Sequence, residues 1–139
     1  MQLVLQVLAA AQALEKSGQR LFKPYGLSVP QFNVLNLLSD QREGMRASDL
    51  ARALIVDPSN VTGLLRRMHR DGYLRELANR ADKRQHIVAL SPKGRQAWQG
   101  ADRAYRRALA VFEKGVTPSD QSAAQRVLQQ ILAATAALP

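Results

Sequence analysis

The sequence predicts an all-α domain of six helices that carries one small β-hairpin. Three observations lead there. Apolar residues recur at helical spacing through both ends of the chain. A short helix, a tight connection and a second helix occupy residues 47–71. Two short segments that read as strands, 73–77 and 85–90, then flank a charged loop. With 139 residues, 46% of them hydrophobic, the chain has the size and composition of one folded domain.

The first helix is expected from about Gln2 to Phe22, where Pro24 and Gly26 close it. Leu3, Val7, Leu14, Leu21 and Phe22 share one of its faces. Leu3 to Leu14 carries no charge, and Ala11-Gln12-Ala13 has the form of a signal-peptidase site. The first basic residue is only Lys16, however, and Gln2, Gln6 and Gln12 interrupt the apolar run, so the segment reads as helix. No stretch is long and apolar enough to cross a bilayer. Ser28 is the expected N-cap of the second helix, with Gln31 at the capping-box position and Phe32, Leu35 and Leu38 on the buried face.

A short third helix, roughly Ala47 to Leu54, follows Gly44. Asp57-Pro58 opens the fourth, as N-cap and first helical residue, and Asp71-Gly72 ends it. Tyr73 to Leu77 and Gln85 to Leu90 read as strands; in the second, His86, Val88 and Leu90 alternate with Gln85, Ile87 and Ala89. Ser91-Pro92 starts the fifth helix, with Trp98, Ala101, Tyr105, Leu109 and Phe112 at helical spacing. Thr117-Pro118 starts the sixth, where Val127, Leu128, Ile131, Leu132 and Leu138 form a stripe.

The charge is concentrated in the middle. The chain carries a net +9 with a pI near 10.8, and residues 42–107 hold fifteen basic against seven acidic groups, a net +8. Residues 1–41 and 108–139 are nearly neutral and rich in Ala and Leu. A basic centre suits a polyanion, and apolar ends suit packing against another apolar surface. The absence of cysteine excludes disulfides, thiolate nucleophiles, iron–sulfur clusters and Cys-ligated zinc, and fits a reducing cytoplasm.

The fourth helix is the most informative element. At 100° per residue, Val61, Leu64, Leu65 and Met68 cluster on a core-facing side. Ser59, Gly63, Arg66 and Arg70 fall opposite, flanked by Asn60, Thr62 and Arg67. Short hydrogen-bonding side chains at one end and arginines further on suit a helix entering a major groove, where small groups meet base edges and long cations reach guanine or phosphate. Gly63 lowers helix propensity by about 1 kcal/mol relative to Ala, yet lets the backbone come close to DNA. In the hairpin, Arg75, Arg80, Lys83 and Arg84 surround the loop, a wing able to reach an adjacent minor groove. Asp82 among them is expected to brace that loop through local hydrogen bonds and an ion pair.

These residues resemble the MarR family of winged helix-turn-helix regulators. The likeness lies in Met45-Arg46-Ala47-Ser48-Asp49-Leu50-Ala51, in Val61-Thr62 with Leu64-Leu65, and in Asp71-Gly72-Tyr73-Leu74. The wing's Asp82-Lys83-Arg84, followed by Val88-Ala89-Leu90-Ser91-Pro92-Lys93-Gly94, is similar to that family's wing and the start of its fifth helix, and Ser28 to Leu38 to its second helix. The resemblance implies a winged helix-turn-helix fold and an intertwined homodimer. It divides a single domain, 1–139, into dimerisation helices (1–40 and 95–139) and a DNA-binding lobe (41–94). It further implies a repressor released by a small aromatic or phenolic effector. Phe22, Tyr25, Phe32, Trp98 and Tyr105 are candidates for lining the effector pocket, although aromatic residues at helical spacing are commonly plain core. Two departures stand out: Ile55 replaces a common glycine in the helix-turn-helix turn, so no positive φ is expected there, and Arg46 stands where a Ser or Thr cap is usual. Arg46 is expected either to fray the third helix or to contact phosphate.

Catalytic chemistry is not expected. His69 and His86 are the only near-neutral bases, with no nucleophilic Cys and no acidic ligand cluster beside them, and no phosphate-binding Gly loop or Ser-His-Asp pattern is present. No catalytic residue, metal site or cofactor is therefore assigned. The expected partners are double-stranded DNA, a second copy of the chain and a small-molecule effector, in the cytoplasm and away from membranes. The alternatives are an architectural DNA binder of low specificity with the same fold, and a winged-helix adaptor whose basic face meets an acidic protein.

Overall fold

The structure is a computed structural model that describes residues 2–54, 58–78, 81–82 and 84–139. Its helices are α1 (Gln2–Phe22), α2 (Val29–Leu38), α3 (Ala47–Leu54), α4 (Pro58–Arg70), α5 (Pro92–Gly115) and α6 (Pro118–Ala136), with a 3-10 turn, Lys23–Tyr25, after α1. Strands β1 (Met45–Arg46), β2 (Leu74–Ala78) and β3 (His86–Leu90) form an antiparallel sheet in the order β1-β3-β2.

The helix starts follow from local chemistry. Ser28 Oγ accepts from the Gln31 backbone N–H at 3.2 Å, and Gln31 Oε1 accepts from the Ser28 N–H at 2.9 Å, so two otherwise orphaned donors of α2 are satisfied reciprocally. Thr117 Oγ1 accepts from the Asp120 N–H at 3.2 Å at the start of α6. Asp57, the expected cap of α4, and Ile55, expected in a turn without positive φ, lie outside the described residues.

The hairpin is one residue later at its start than expected, and the sheet has a strand the alternation pattern missed. β1 pairs Met45 with Val88 and Arg46 with Ile87, while β2 pairs Leu74 with Leu90 through to Ala78 with His86. Val88, Ala89 and Leu90 are all buried, so the simple in-and-out alternation expected of β3 stops there. Consecutive strand residues face opposite ways, and both faces of this end of the sheet are therefore covered.

The chain divides into two compact units, residues 1–104 and 105–139. In the first, Phe22 and Phe32 stack with centroids 4.1 Å apart. Leu35, Leu38, Leu50, Met68, Leu74 and Leu90 join them in a continuous set of buried apolar side chains. Fully burying such a side chain contributes about 1.5–3 kcal/mol, which makes this cluster the source of the lobe's stability. The start and middle of α1 are different: Leu3, Val4, Leu5, Leu8 and Leu14 are exposed. In the second unit, α6 buries no residue, and Val127, Leu128, Leu132 and Leu138 are exposed, as are Leu109 and Phe112 of α5.

Candidate nucleic-acid interface

α4 is held by its apolar side. Val61, Leu65 and Met68 are buried, and the helix contacts α2, α3 and β2. Leu64, expected in the core with them, is only half-buried, because it borders a cleft of about 520 Å³ between α4 and the start of α2. Ser59, Asn60, Thr62, Arg66, Arg67 and Arg70 are exposed, as the helical geometry requires of residues opposite the buried stripe. Gly63 is half-buried, and a Cβ there would lie 3.3 Å from Arg67 Nη1. Arg70 Nε pairs with Asp71 Oδ1 at 3.1 Å, so one cation at the end of the row is partly neutralised. The thirteen residues of α4 span roughly 20 Å, and a helix about 10–12 Å across fits the width of a B-DNA major groove.

Arg46 neither frays α3 nor stands alone. Its Nε donates to Asp49 Oδ2 at 2.8 Å within the first turn, and Asp49 Oδ1 also lies 3.7 Å from Arg52 Nη1. A carboxylate in the first turn complements the positive end of the helix dipole. Arg46 Nη1 further reaches Gln85 Oε1 at 3.5 Å, linking the start of α3 to the residue before β3.

In the wing, the Arg84 N–H donates to Asp82 Oδ1 at 2.9 Å and the Gln85 N–H to the Asp82 carbonyl at 3.1 Å. This is an Asx turn, the arrangement in which a short carboxylate mimics a backbone turn. Arg84 is exposed beside it. Arg80 and Lys83, the other expected wing cations, lie outside the described residues. Arg75, grouped with them from sequence, instead sits at the base of the hairpin, where its Nε donates to the Leu90 carbonyl at 3.0 Å. Its cross-strand position opposite Ala89 fixes this, and spacing along the chain does not reveal it.

The expected effector-pocket aromatics occupy several places. Phe22 and Phe32 are core, stacked on each other. Tyr25 is half-buried, its ring beside Gly100, and Trp98 is half-buried with its Nε1 donating to Asn36 Oδ1 at 3.1 Å. Tyr105 belongs to the second unit. Two clefts instead flank α4: the one against α2, and one of about 550 Å³ bordered by α3 and the sheet, where Val61, Leu65, His69, His86 and Val88 are lining residues. Neither contains any of the five aromatics. Among the described residues, no group of three or more His, Cys, Asp or Glu is placed to hold a metal ion. No helix among them is long and apolar enough to cross a membrane.

Comparison with known proteins points one way. Residues 25–85 match a model of the MarR family. A transcriptional activatory protein, BadR of Rhodopseudomonas palustris, is 36% identical over 99 residues, covering 70% of this chain and 57% of that protein. The chain spans about half the length of the first curated relatives it matches. The homoprotocatechuate degradative operon repressor of Escherichia coli is 27% identical and covers 94% of this chain and 88% of its own. Among solved structures, the transcriptional regulator MosR of M. tuberculosis in complex with DNA superposes with a TM-score of 0.77 at 29% identity, over 97% of this chain and 98% of that one.

Proposed function

The chain belongs to the MarR family, and on that premise we propose that it is a DNA-binding transcription regulator, acting as a homodimer on a pseudo-palindromic operator. The exposed face of α4 carries this reading, with Arg66 and Arg67 projecting away from buried Val61, Leu65 and Met68. Ser59, Asn60, Thr62 and Gly63 are assigned to base edges and the closely approached backbone; Arg66, Arg67 and Arg70 to guanine or phosphate. Arg84, with Arg80 and Lys83, serves the minor groove, and Asp82 braces that loop. The net +8 of residues 42–107 supplies the non-specific attraction to a phosphate backbone. The MosR relative, whose structure holds DNA, supports this use of the fold.

The second copy of the chain is assigned to the uncovered apolar side chains of α1 and α6, which a two-fold interface would satisfy. Repression is the first reading of its regulatory sign, supported by the E. coli relative that matches nearly end to end; activation is the second, supported by the shorter match to BadR. A small aromatic effector agrees with the E. coli relative's being named for homoprotocatechuate, an aromatic acid. Of the candidate lining, half-buried Tyr25 and Trp98 are the groups a ligand would meet, whereas Phe22 and Phe32 are buried in the core. The setting is the cytoplasm, and no enzymatic step is assigned.

Enrichment of duplexes from a random library on the full-length protein tests the function. The expected product is a pseudo-palindrome with half-site centres about 10–10.5 bp apart, or a multiple of that, preferred over random DNA by well above tenfold. Salt-sensitive binding without any enriched sequence would favour the architectural alternative. Absence of duplex binding at moderate salt would favour the protein adaptor.

A further inference from the structure

One cluster of polar contacts lies off the exposed face of α4, where the C-terminal end of that helix meets the first turn of α5. α4 closes in a Schellman motif: the Tyr73 N–H donates to the Met68 carbonyl and the Gly72 N–H to the His69 carbonyl, each at 3.0 Å, with Gly72 at φ +85°. The carbonyls of Asp71, Gly72 and Tyr73 all accept from residues 91–93. Lys93 Nζ donates to Asp71 O at 2.6 Å, Ser91 Oγ to Gly72 O at 2.5 Å, and the Ser91 N–H to Tyr73 O at 3.1 Å.

The same Ser91 hydroxyl accepts from the Gly94 N–H at 2.9 Å, so one oxygen caps α5 and ties down the end of α4. Lys93 Nζ also sits 4.8 Å from the centroid of the Tyr73 ring. A Cβ on Gly94 would overlap the Tyr73 carbonyl oxygen, so the two backbones pack too closely there for any side chain. A cation at a helix C-terminus is favoured by the dipole, and a bond to a charged donor is stronger than a neutral one.

We propose that Lys93 is a positioning residue for DNA reading: by holding the Asp71 carbonyl it fixes the axis of α4, and it does not itself contact DNA. An exposed lysine beside a basic recognition helix would ordinarily be assigned to a phosphate. Here the short bond to Asp71 and the Tyr73 ring turn the ammonium toward α4 instead. The lever arm makes this matter. Along a helix of roughly 20 Å, a tilt of about 5° displaces the far end by about 1.7 Å, more than the spread of good hydrogen-bond lengths.

This inference rests on the proposed recognition role of α4, and the test separates the two. The duplex enriched on the parent protein and a random duplex of equal length are titrated over a salt series against the parent, Lys93→Met and Lys93→Arg. Lys93→Met keeps an apolar stem on Tyr73 and removes the donor. The expected result is a roughly tenfold loss on the enriched duplex, the discrimination of about one base contact. The random duplex should bind within twofold of the parent, with an unchanged salt slope. Lys93→Arg, which keeps a charged donor, should recover most of the loss. An equal loss on both duplexes with the slope reduced by about 1 would make Lys93 a phosphate contact and overturn the proposal. Undiminished preference for the enriched duplex in Lys93→Met would overturn it as well. Should no duplex enrich on the parent, the recognition role of α4 falls, and this inference with it.

Discussion

The winged lobe and the helical ends of the chain use the same apolar side chains to opposite effect. Leu50 and Met68 in the lobe are 0% exposed, whereas Leu5 of α1 is 59% and Leu132 of α6 is 65% exposed. Both regions are amphipathic helix, so propensity does not separate them. What separates them is whether the partner surface lies within the same chain. The lobe closes on itself through α2, α3, α4 and the sheet, and its stability should not depend on protein concentration. The ends carry uncovered stripes, and their stability should.

The largest effect expected on this contrast is in the lobe. Phe32→Ala removes one ring of the Phe22–Phe32 stack and should cost about 3–5 kcal/mol in unfolding free energy, measured by denaturant titration. A much smaller loss would mean that the lobe core is not self-contained. Next comes Leu132→Asp in α6. Removing a leucine from a subunit interface should weaken association by about 2–3 kcal/mol. Light scattering over a dilution series should therefore show the variant passing from about twice 15.4 kDa to that mass at concentrations where the parent stays dimeric. A parent already monomeric when folded would dissolve the contrast.

Arg66→Ala sharpens the comparison from the other side, since it touches neither kind of packing. It should weaken operator binding by about 1–3 kcal/mol while leaving the melting temperature unaltered. Equal affinity for a defined operator would remove Arg66 from the interface. Smallest is Asp82→Ala. Loss of its bond to the Arg84 N–H should change stability by about 0–1 kcal/mol. Yet it should lower DNA affinity, although the protein becomes more positive. Arg84→Ala should do the same, and the double variant should fall short of the sum. Tighter binding by Asp82→Ala would reduce that residue to a solvated turn.

Much of the fold is legible because its signals are local. The bounds of α1 and α3 follow from periodicity and flanking Gly and Pro, and the Ser28–Gln31 capping box needs only three residues of spacing. β1 was not legible, since two residues carry no alternation and the strand exists only through its pairing with Ile87 and Val88. Arg75 and Lys93 show the same limit within the candidate site. Each looks like one more cation in a basic segment, and its partner is a backbone carbonyl 15 or 22 residues away. Carbonyls leave no mark in a sequence. The exposed row of α4 was readable because its buried complement, Val61, Leu65 and Met68, fixes it by helical geometry alone.

The short strand β1 has one more consequence, for what the protein avoids. By pairing with Ile87 and Val88 it occupies part of the free edge of β3, and the other margin of the sheet is β2, where Arg75 and Glu76 are exposed. Charged residues on a margin strand oppose the addition of a foreign strand, the usual route from a small sheet to fibrils. A molecule with so much uncovered leucine therefore steers its stickiness. Its uncovered leucines lie on helix faces, where side-chain shape selects a partner, and away from a backbone ladder that would accept any chain.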